Sequence, residues 1–148
     1  MSFLDALQSD LKKAMVAGDK VRTNAARSLI TAYNSIEKTA KAALTESDTI
    51  AIIKRQIKQR EDSIAAFIAA GRKDLADIEQ IELDYFKTHL PEMVTTEELE
   101  TEIKKFIAQA NITGKVAIGL TMKHLKEKWG ATFDGKKASE IINKILEP

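Results

Sequence analysis

The chain has 148 residues, with 23 basic side chains against 22 acidic ones and a formal charge of +1. With 44% hydrophobic and 30% charged residues, its composition is that of a soluble globular protein and not of a disordered segment. The near-zero charge excludes a protein that holds nucleic acid by bulk attraction, so any such binding would need a local basic patch.

Other function classes are excluded by what the chain lacks. Without cysteine it has no disulfide, no thiolate zinc ligand and no cysteine nucleophile. No apolar run approaches the roughly 20 residues of a membrane helix, and the N-terminus lacks the order of a secretory signal. We therefore expect a cytoplasmic protein without a membrane partner, a cofactor or a metal.

Helical periodicity dominates the chain, and no strand-like alternation persists, which predicts an all-α protein. In chain order, the first two helices are predicted over about residues 2–17 and 20–44. A third helix begins at the break and new cap at Thr45–Asp48 and ends near residue 70. A fourth helix ends at Leu90, because Pro91 disfavours helix at the preceding residue. Three shorter helices follow, beginning near residues 95, 114 and 135. The apolar stripes of the first four helices include Met15, Ile36, Ile68 and Ile78.

The helix lengths predict two parts. An N-terminal long-helix module covers residues 1–90, residues 91–94 form a linker, and a small C-terminal three-helix bundle covers residues 95–148. We expect each part to have its own core.

Three charged residues depart from the solvent-face pattern. Helical-wheel positions place Arg60, Arg22 and Glu82 on or near apolar faces, where charges seldom lie without partners. Glu82 is therefore predicted to pair with Arg60 or Arg22 as a structural salt bridge. The alternative role, an acid–base carboxylate, is disfavoured because an arginine partner would lower the pKa of Glu82.

Two stretches are locally basic. Residues 54–60 hold four cations without an acid, and residues 115–137 hold six lysines against two acids. Such patches suit phosphate contacts, but charge alone favours a solvated helix face, with Lys58 and Asp62 as an i,i+4 pair.

The sequence has no convincing arrangement of catalytic side chains, and no catalytic residue or metal ligand is predicted. His89 and His124 belong to different parts, and Ser63 and Ser139 lack an adjacent base. The usual phosphate-binding glycine motifs are missing. Trp129 could stack on a base, but its place on an apolar stripe favours core packing.

Two sequence blocks carry a resemblance to a known family. The segments KRQIKQREDSI (residues 54–64) and AGRKDLA (residues 70–76) resemble the GatB/YqeY family, specifically a stand-alone YqeY-like protein. Weaker matches extend over essentially the whole chain. Where the family usually has lysine after the glycine of the sixth helix, this chain has Gly119-Leu120, so any RNA contact by that lysine is absent here.

The resemblance implies an all-helical, two-part protein similar to the C-terminal tail of the B subunit of aspartyl/glutamyl-tRNA amidotransferase. In that enzyme the tail helps to hold the tRNA while the chemistry takes place elsewhere. Carbon–nitrogen ligation with glutamine as amide donor is thus a family association only. We expect no independent enzymatic activity, because the chain shows no amidase nucleophile and no ATP site.

The leading hypothesis is an accessory module that binds tRNA, alongside a tRNA-charging or amidotransferase enzyme and without affinity for DNA. Charge clustering and the resemblance together give these candidate contacts: Arg27, Lys54, Arg55, Lys58, Arg72, Lys123, Lys126, Lys136 and Lys137. The rival hypothesis is a helical protein–protein adaptor that binds no RNA. An enzyme built on Arg22, Arg60 and Glu82 is the third and least favoured class.

Overall fold

The computed structural model describes residues 2–147, and within that range it contains α-helices and no strand. The helices are α1 (Phe3–Ala17), α2 (Lys20–Thr39), α3 (Glu46–Ala69), α4 (Lys73–Thr88), α5 (Thr96–Ala110), α6 (Gly114–Trp129) and α7 (Gly135–Leu146). The all-α prediction is confirmed. None of the helices in this range combines the length and the apolar character needed to cross a membrane.

Local capping fixes the ends of several helices. In a reciprocal capping box, Ser2 and Asp5 exchange hydrogen bonds between side chains and backbone N–H groups at the start of α1. Gly18 ends that helix in the left-handed conformation with a φ of 70°, which glycine adopts without a steric penalty. Thr45 and Asp48 form the same capping box at the start of α3.

The second helix is shorter than predicted. It ends at Thr39 and not near Leu44, and Ala40 has extended backbone with a ψ of 140°. The last apolar residue of its stripe, Ile36, is already 41% exposed, so no packing supports a further turn. A helix end without tertiary contacts frays because its own hydrogen bonds contribute little net stability.

The chain divides into two compact units, one of residues up to Pro91 and one from Glu92. In unit 1, α3 packs on α4 and α1 on α2, and α2 also contacts α3 and α4. All four helices contribute to its core: Leu7, Ala25, Leu29, Ile53, Ile57, Leu83 and Phe86. Met15, Ile68 and Ile78, which the periodicity placed in apolar stripes, are 42–62% exposed, because no neighbouring helix covers those turns.

Unit 2 is built from α5, α6 and α7, each of which contacts the other two. Its core consists of Leu99, Ile103, Leu125, Phe133, Ala138 and Ile142. The Val94 N–H donates to the Thr132 carbonyl at 2.8 Å, which ties the segment before α5 to the loop between α6 and α7. Trp129 packs against this core, in agreement with the favoured interpretation of its apolar position.

Candidate nucleic-acid interface

A groove runs along unit 1 between α2 and α3. It consists of two adjoining cavities of about 380 and 580 Å³, and Ala32, Ser35 and Gln56 line both. On the α2 side its lining includes Asn24, Arg27, Ser28, Thr31 and Ile36. On the α3 side its lining includes Asp48, Ala51, Ile52, Arg55 and Gln59. We call this surface the α2–α3 groove.

Two of the predicted RNA contacts lie in the groove. Arg27 and Arg55 are exposed, and neither forms a salt bridge with any residue in the described range. The nearest polarisable partner of Arg27 is the thioether of Met15, 3.9 Å from Nη2. Since both guanidinium groups lack a carboxylate partner, both are available to an anion that enters the groove.

Asp48 brings a negative charge to the groove lining, and local structure already engages it. One of its carboxylate oxygens accepts from the Thr45 N–H at 2.8 Å and from the Thr45 hydroxyl at 3.0 Å. These bonds belong to the capping box of α3, and a carboxylate there also interacts favourably with the helix dipole. The negative charge is therefore held at the start of the helix.

Three other predicted contacts in unit 1 lie apart from this lining. Lys58 donates to Asp62 at 2.8 Å, and this hydrogen bond raises the pKa of Lys58. Arg72 makes two bonds of 3.1 Å to Asp74, which lower the pKa of that carboxyl. Lys54 is half-buried on α3.

A partly buried ion cluster joins α3 to α4 and contacts α2 at Ser28. Arg60 Nε lies 2.7 Å from Glu82 Oε2 and 3.2 Å from Glu79 Oε2, and all three side chains are at most 22% exposed. The same guanidinium donates to Ser28 Oγ at 3.3 Å and lies 5.3 Å from the ring centroid of Phe86. Because Ser28 also lines the groove, Arg60 links the groove wall to α4.

Of the two arginines offered as partners for Glu82, only Arg60 contacts it. Placing Arg22 near an apolar face was wrong, because its side chain is 66% exposed and pairs with Asp19 at 3.5 Å. Arg60 lowers the pKa of Glu82 as predicted, but the net shift is upward because burial outweighs the arginine. Burial raises the pKa of Glu82, the Arg60 charge opposes the shift without reversing it, and Glu79 adds to it.

Glu79 was missed by sequence reasoning. It is 22% exposed, and its Oε2 atom is buried without a hydrogen-bond partner. Its position three residues before Glu82 places both side chains on the same face of α4, and this spacing is the sequence feature that could have identified Glu79 as a member of the cluster.

A second polar cluster joins α1 to α4. The Tyr85 hydroxyl donates to Asp10 at 2.8 Å, and His89 Nε2 lies 3.2 Å from the same carboxylate oxygen. Burial first, and then the bond to Asp10, raise the pKa of Tyr85 well above its usual range. The cluster borders a cavity of about 670 Å³. Asp10 was missed because 75 residues separate it from Tyr85.

In unit 2 the four predicted contacts are exposed. Lys123 and Lys126 lie on α6, while Lys136 and Lys137 begin α7, where their backbone N–H groups donate to Asp134.

Beside these lysines, Glu102 accepts from His124 and Lys128, each at 2.8 Å. The bond from His124, followed by that from Lys128, lowers the pKa of Glu102. Phe106 stacks on His124 with ring centroids 4.2 Å apart. Among the described residues, no group of three or more potential ligands is arranged to hold a metal ion.

Comparison with known proteins identifies relatives over nearly the whole chain. The Yqey-like protein family model matches residues 4–146. "Altered inheritance of mitochondria protein 41, mitochondrial" of Pyrenophora tritici-repentis is 32% identical over 145 residues, which is 97% of this chain and 80% of the relative. Proteins with the same name match 68% of the chain, at 35% identity in Saccharomyces cerevisiae (strain YJM789) and 32% in Vanderwaltozyma polyspora.

The chain spans 56% of the length of those two yeast relatives. The relatives are named as mitochondrial proteins, and this contradicts the expectation of a cytoplasmic protein. The expectation was only a default, because composition does not specify the compartment. The match over residues 4–146 confirms the predicted resemblance: the chain belongs to the YqeY-like family.

Proposed function

We propose that this protein is a non-catalytic RNA-binding module that contacts the sugar-phosphate backbone of tRNA through the α2–α3 groove. One observation carries the proposal: Arg27 and Arg55 lie in this groove without ion pairs, while Asp48 is held by the cap of α3. A planar guanidinium binds a phosphate through two parallel hydrogen bonds, a geometry that lysine lacks. Contacts of this kind orient the RNA without reading its sequence.

Unit 2 offers further cations for the same ligand. Lys123, Lys126, Lys136 and Lys137 are exposed, and none of them forms a salt bridge within residues 2–147. In the proposal they extend the phosphate contacts, and their contribution is measured separately from that of the groove.

The family association supplies the biological setting of the proposal. The module would serve a tRNA-charging or amidotransferase enzyme, while carbon–nitrogen ligation with glutamine as amide donor takes place on that enzyme. Since the relatives are named as mitochondrial proteins, a mitochondrial tRNA is a suitable first probe.

A filter-binding titration of tRNA at several salt concentrations tests the proposal. Affinity should fall as salt rises, because each neutralised phosphate releases counterions. Replacing Arg27 and Arg55 together by Ala should weaken binding at low salt by about 10-fold or more and reduce the salt slope by about two.

The matched control replaces Lys12 and Lys87, two exposed cations of unit 1 outside the groove, by Ala. This variant has the same charge change and should keep most of its affinity. An equal loss in both variants, or no affinity for tRNA at low salt, would contradict the proposal.

An adaptor function is the second candidate, and the surface of α6 favours it. Val116 and Leu120 are 67% and 43% exposed, with Gly119 between them on the same face. Exposed apolar residues in such a pattern are typical of helix-docking surfaces. The test is whether a purified amidotransferase or tRNA synthetase binds the protein after nuclease treatment. Binding that is lost when Val116 and Leu120 are replaced by Ser would support this candidate over RNA binding.

A further inference from the structure

Both halves of the α2–α3 groove combine apolar and polar lining. The lining of the larger cavity includes the polar side chains of Arg27, Asn24 and Thr31. The smaller cavity, of about 380 Å³, takes its apolar lining from Ala32, Ile36, Ala51 and Ile52, beside polar groups. A site for phosphate alone has no use for such an apolar lining.

Four of the polar groups around the smaller cavity are free to bind a ligand, whereas the fifth, Asp48, is engaged in the cap of α3. Within residues 2–147, the side chains of Ser35, Arg55, Gln56 and Gln59 make no hydrogen bond to another residue. Gln56 and Gln59 are three residues apart, so their amides are neighbours on the surface of α3. Each amide offers both a donor and an acceptor.

This combination suits a flat heterocycle. A nucleobase buries two apolar faces and presents donors and acceptors along its edge, which glutamine amides complement. The volume lies within the roughly 300–1,000 Å³ range of small-molecule sites. In a duplex the bases are stacked inside the helix, so only an unpaired nucleotide can place its base in such a cavity.

We propose that the α2–α3 groove takes an unpaired nucleotide of an RNA loop, with its base in the cavity at Ala51 and its phosphates on Arg27 and Arg55. The inference rests on the proposed function, since it assigns the ligand of the same groove. It adds a discrimination that phosphate contacts alone do not provide, between looped and fully paired RNA.

Three RNA probes of equal phosphate number test the inference: a hairpin with an unpaired loop, the same hairpin with abasic loop residues, and a blunt duplex. The wild-type protein should bind the first about 10-fold more tightly than the other two, because only the first can bury a base against the apolar lining of the cavity. Ala51→Leu, which fills the cavity, should remove that preference.

Ala65→Leu is the matched control, because Ala65 is also exposed on α3 but lies outside the groove lining. It should bind all three probes like the wild type, and far-UV circular dichroism should show equal helicity in both variants. Equal affinity for base-bearing and abasic loops, or an unchanged preference in Ala51→Leu, would overturn the inference. If the double replacement of Arg27 and Arg55 affects no probe, the proposed function itself fails.

Discussion

Arg60 Nε donates to Glu82 Oε2 at 2.7 Å, and the two side chains are only 18% and 11% exposed. The pair joins α3 to α4 and sits against the ring of Phe86. Burial of both charges makes the pair sensitive to the loss of either partner, whereas an exposed pair of the same length is not.

Replacing Arg60 by Met should lower the free energy of unfolding by about 3 kcal/mol, because Glu79 and Glu82 then remain buried without a counter-charge. Urea unfolding followed by far-UV circular dichroism measures the change. Lys58→Met on the same helix is the control, and loss of its exposed bond to Asp62 should change the free energy of unfolding little. Similar losses in the two variants would show that burial of Arg60 is unimportant.

Glu82→Gln should gain stability relative to the wild type as the pH rises. Burial raises the pKa of Glu82 above its usual 4.5, so the folded state binds its proton more tightly than the unfolded state. Ionisation of Glu82 therefore destabilises the wild type progressively above about pH 4.5, and the Gln variant escapes this loss. Unfolding measured between pH 4 and 8 by the tyrosine signal, which arises entirely from unit 1, tests the sign. A difference that shrinks with rising pH would contradict it.

Glu102→Gln should behave in the opposite way. The bonds from His124 and Lys128 lower the pKa of Glu102, so its stabilising contribution is present above its usual value of 4.5 and is lost as the pH falls through the lowered value. At pH 7 the variant should lose about 1–2 kcal/mol. The fluorescence of Trp129, the only tryptophan, follows unit 2. Glu100→Gln, whose 3.4 Å pair with Lys104 is exposed, should change little.

Within the basic stretch at residues 54–60, replacing Arg55 and replacing Lys58 should have different effects on tRNA binding. Arg55→Ala should weaken tRNA binding several-fold, because its guanidinium lines the groove without an ion pair. Lys58→Ala should have little effect, since Asp62 already neutralises that ammonium at 2.8 Å. The two single variants are compared by filter binding at one low salt concentration. A larger loss for Lys58 would place the RNA on a different face of α3.

Local features of the fold were accessible from the sequence. Gly18 and Thr45 mark helix ends through φ preference and side-chain hydrogen bonds, both of which act over a few residues. Glu82 was recognisable because a charge on an apolar stripe needs a partner, and that reasoning included Arg60. The end of α2 was not accessible, since it depends on whether neighbouring helices cover Ile36.

The candidate site was predicted only in part. Lys58 and Asp62 are visible as an i,i+4 pair, but nothing along the chain shows that Arg27 and Arg55 line one groove. They line the same groove because α2 packs on α3. The pKa of Glu82 depends on the balance between burial and Coulomb attraction, and a helical wheel gives neither quantity.

The capping box at Thr45 and Asp48 limits how this groove can evolve. A lineage selected for tighter RNA binding would gain from a more positive groove, and removing Asp48 is the shortest route to it. The same carboxylate caps the N-terminus of α3, the helix that carries Arg55. A lysine at position 48 would make the groove more positive but would remove this cap and destabilise the start of that helix. Asparagine is the exchange compatible with both demands, because it is neutral and still accepts the hydrogen bond from the Thr45 N–H.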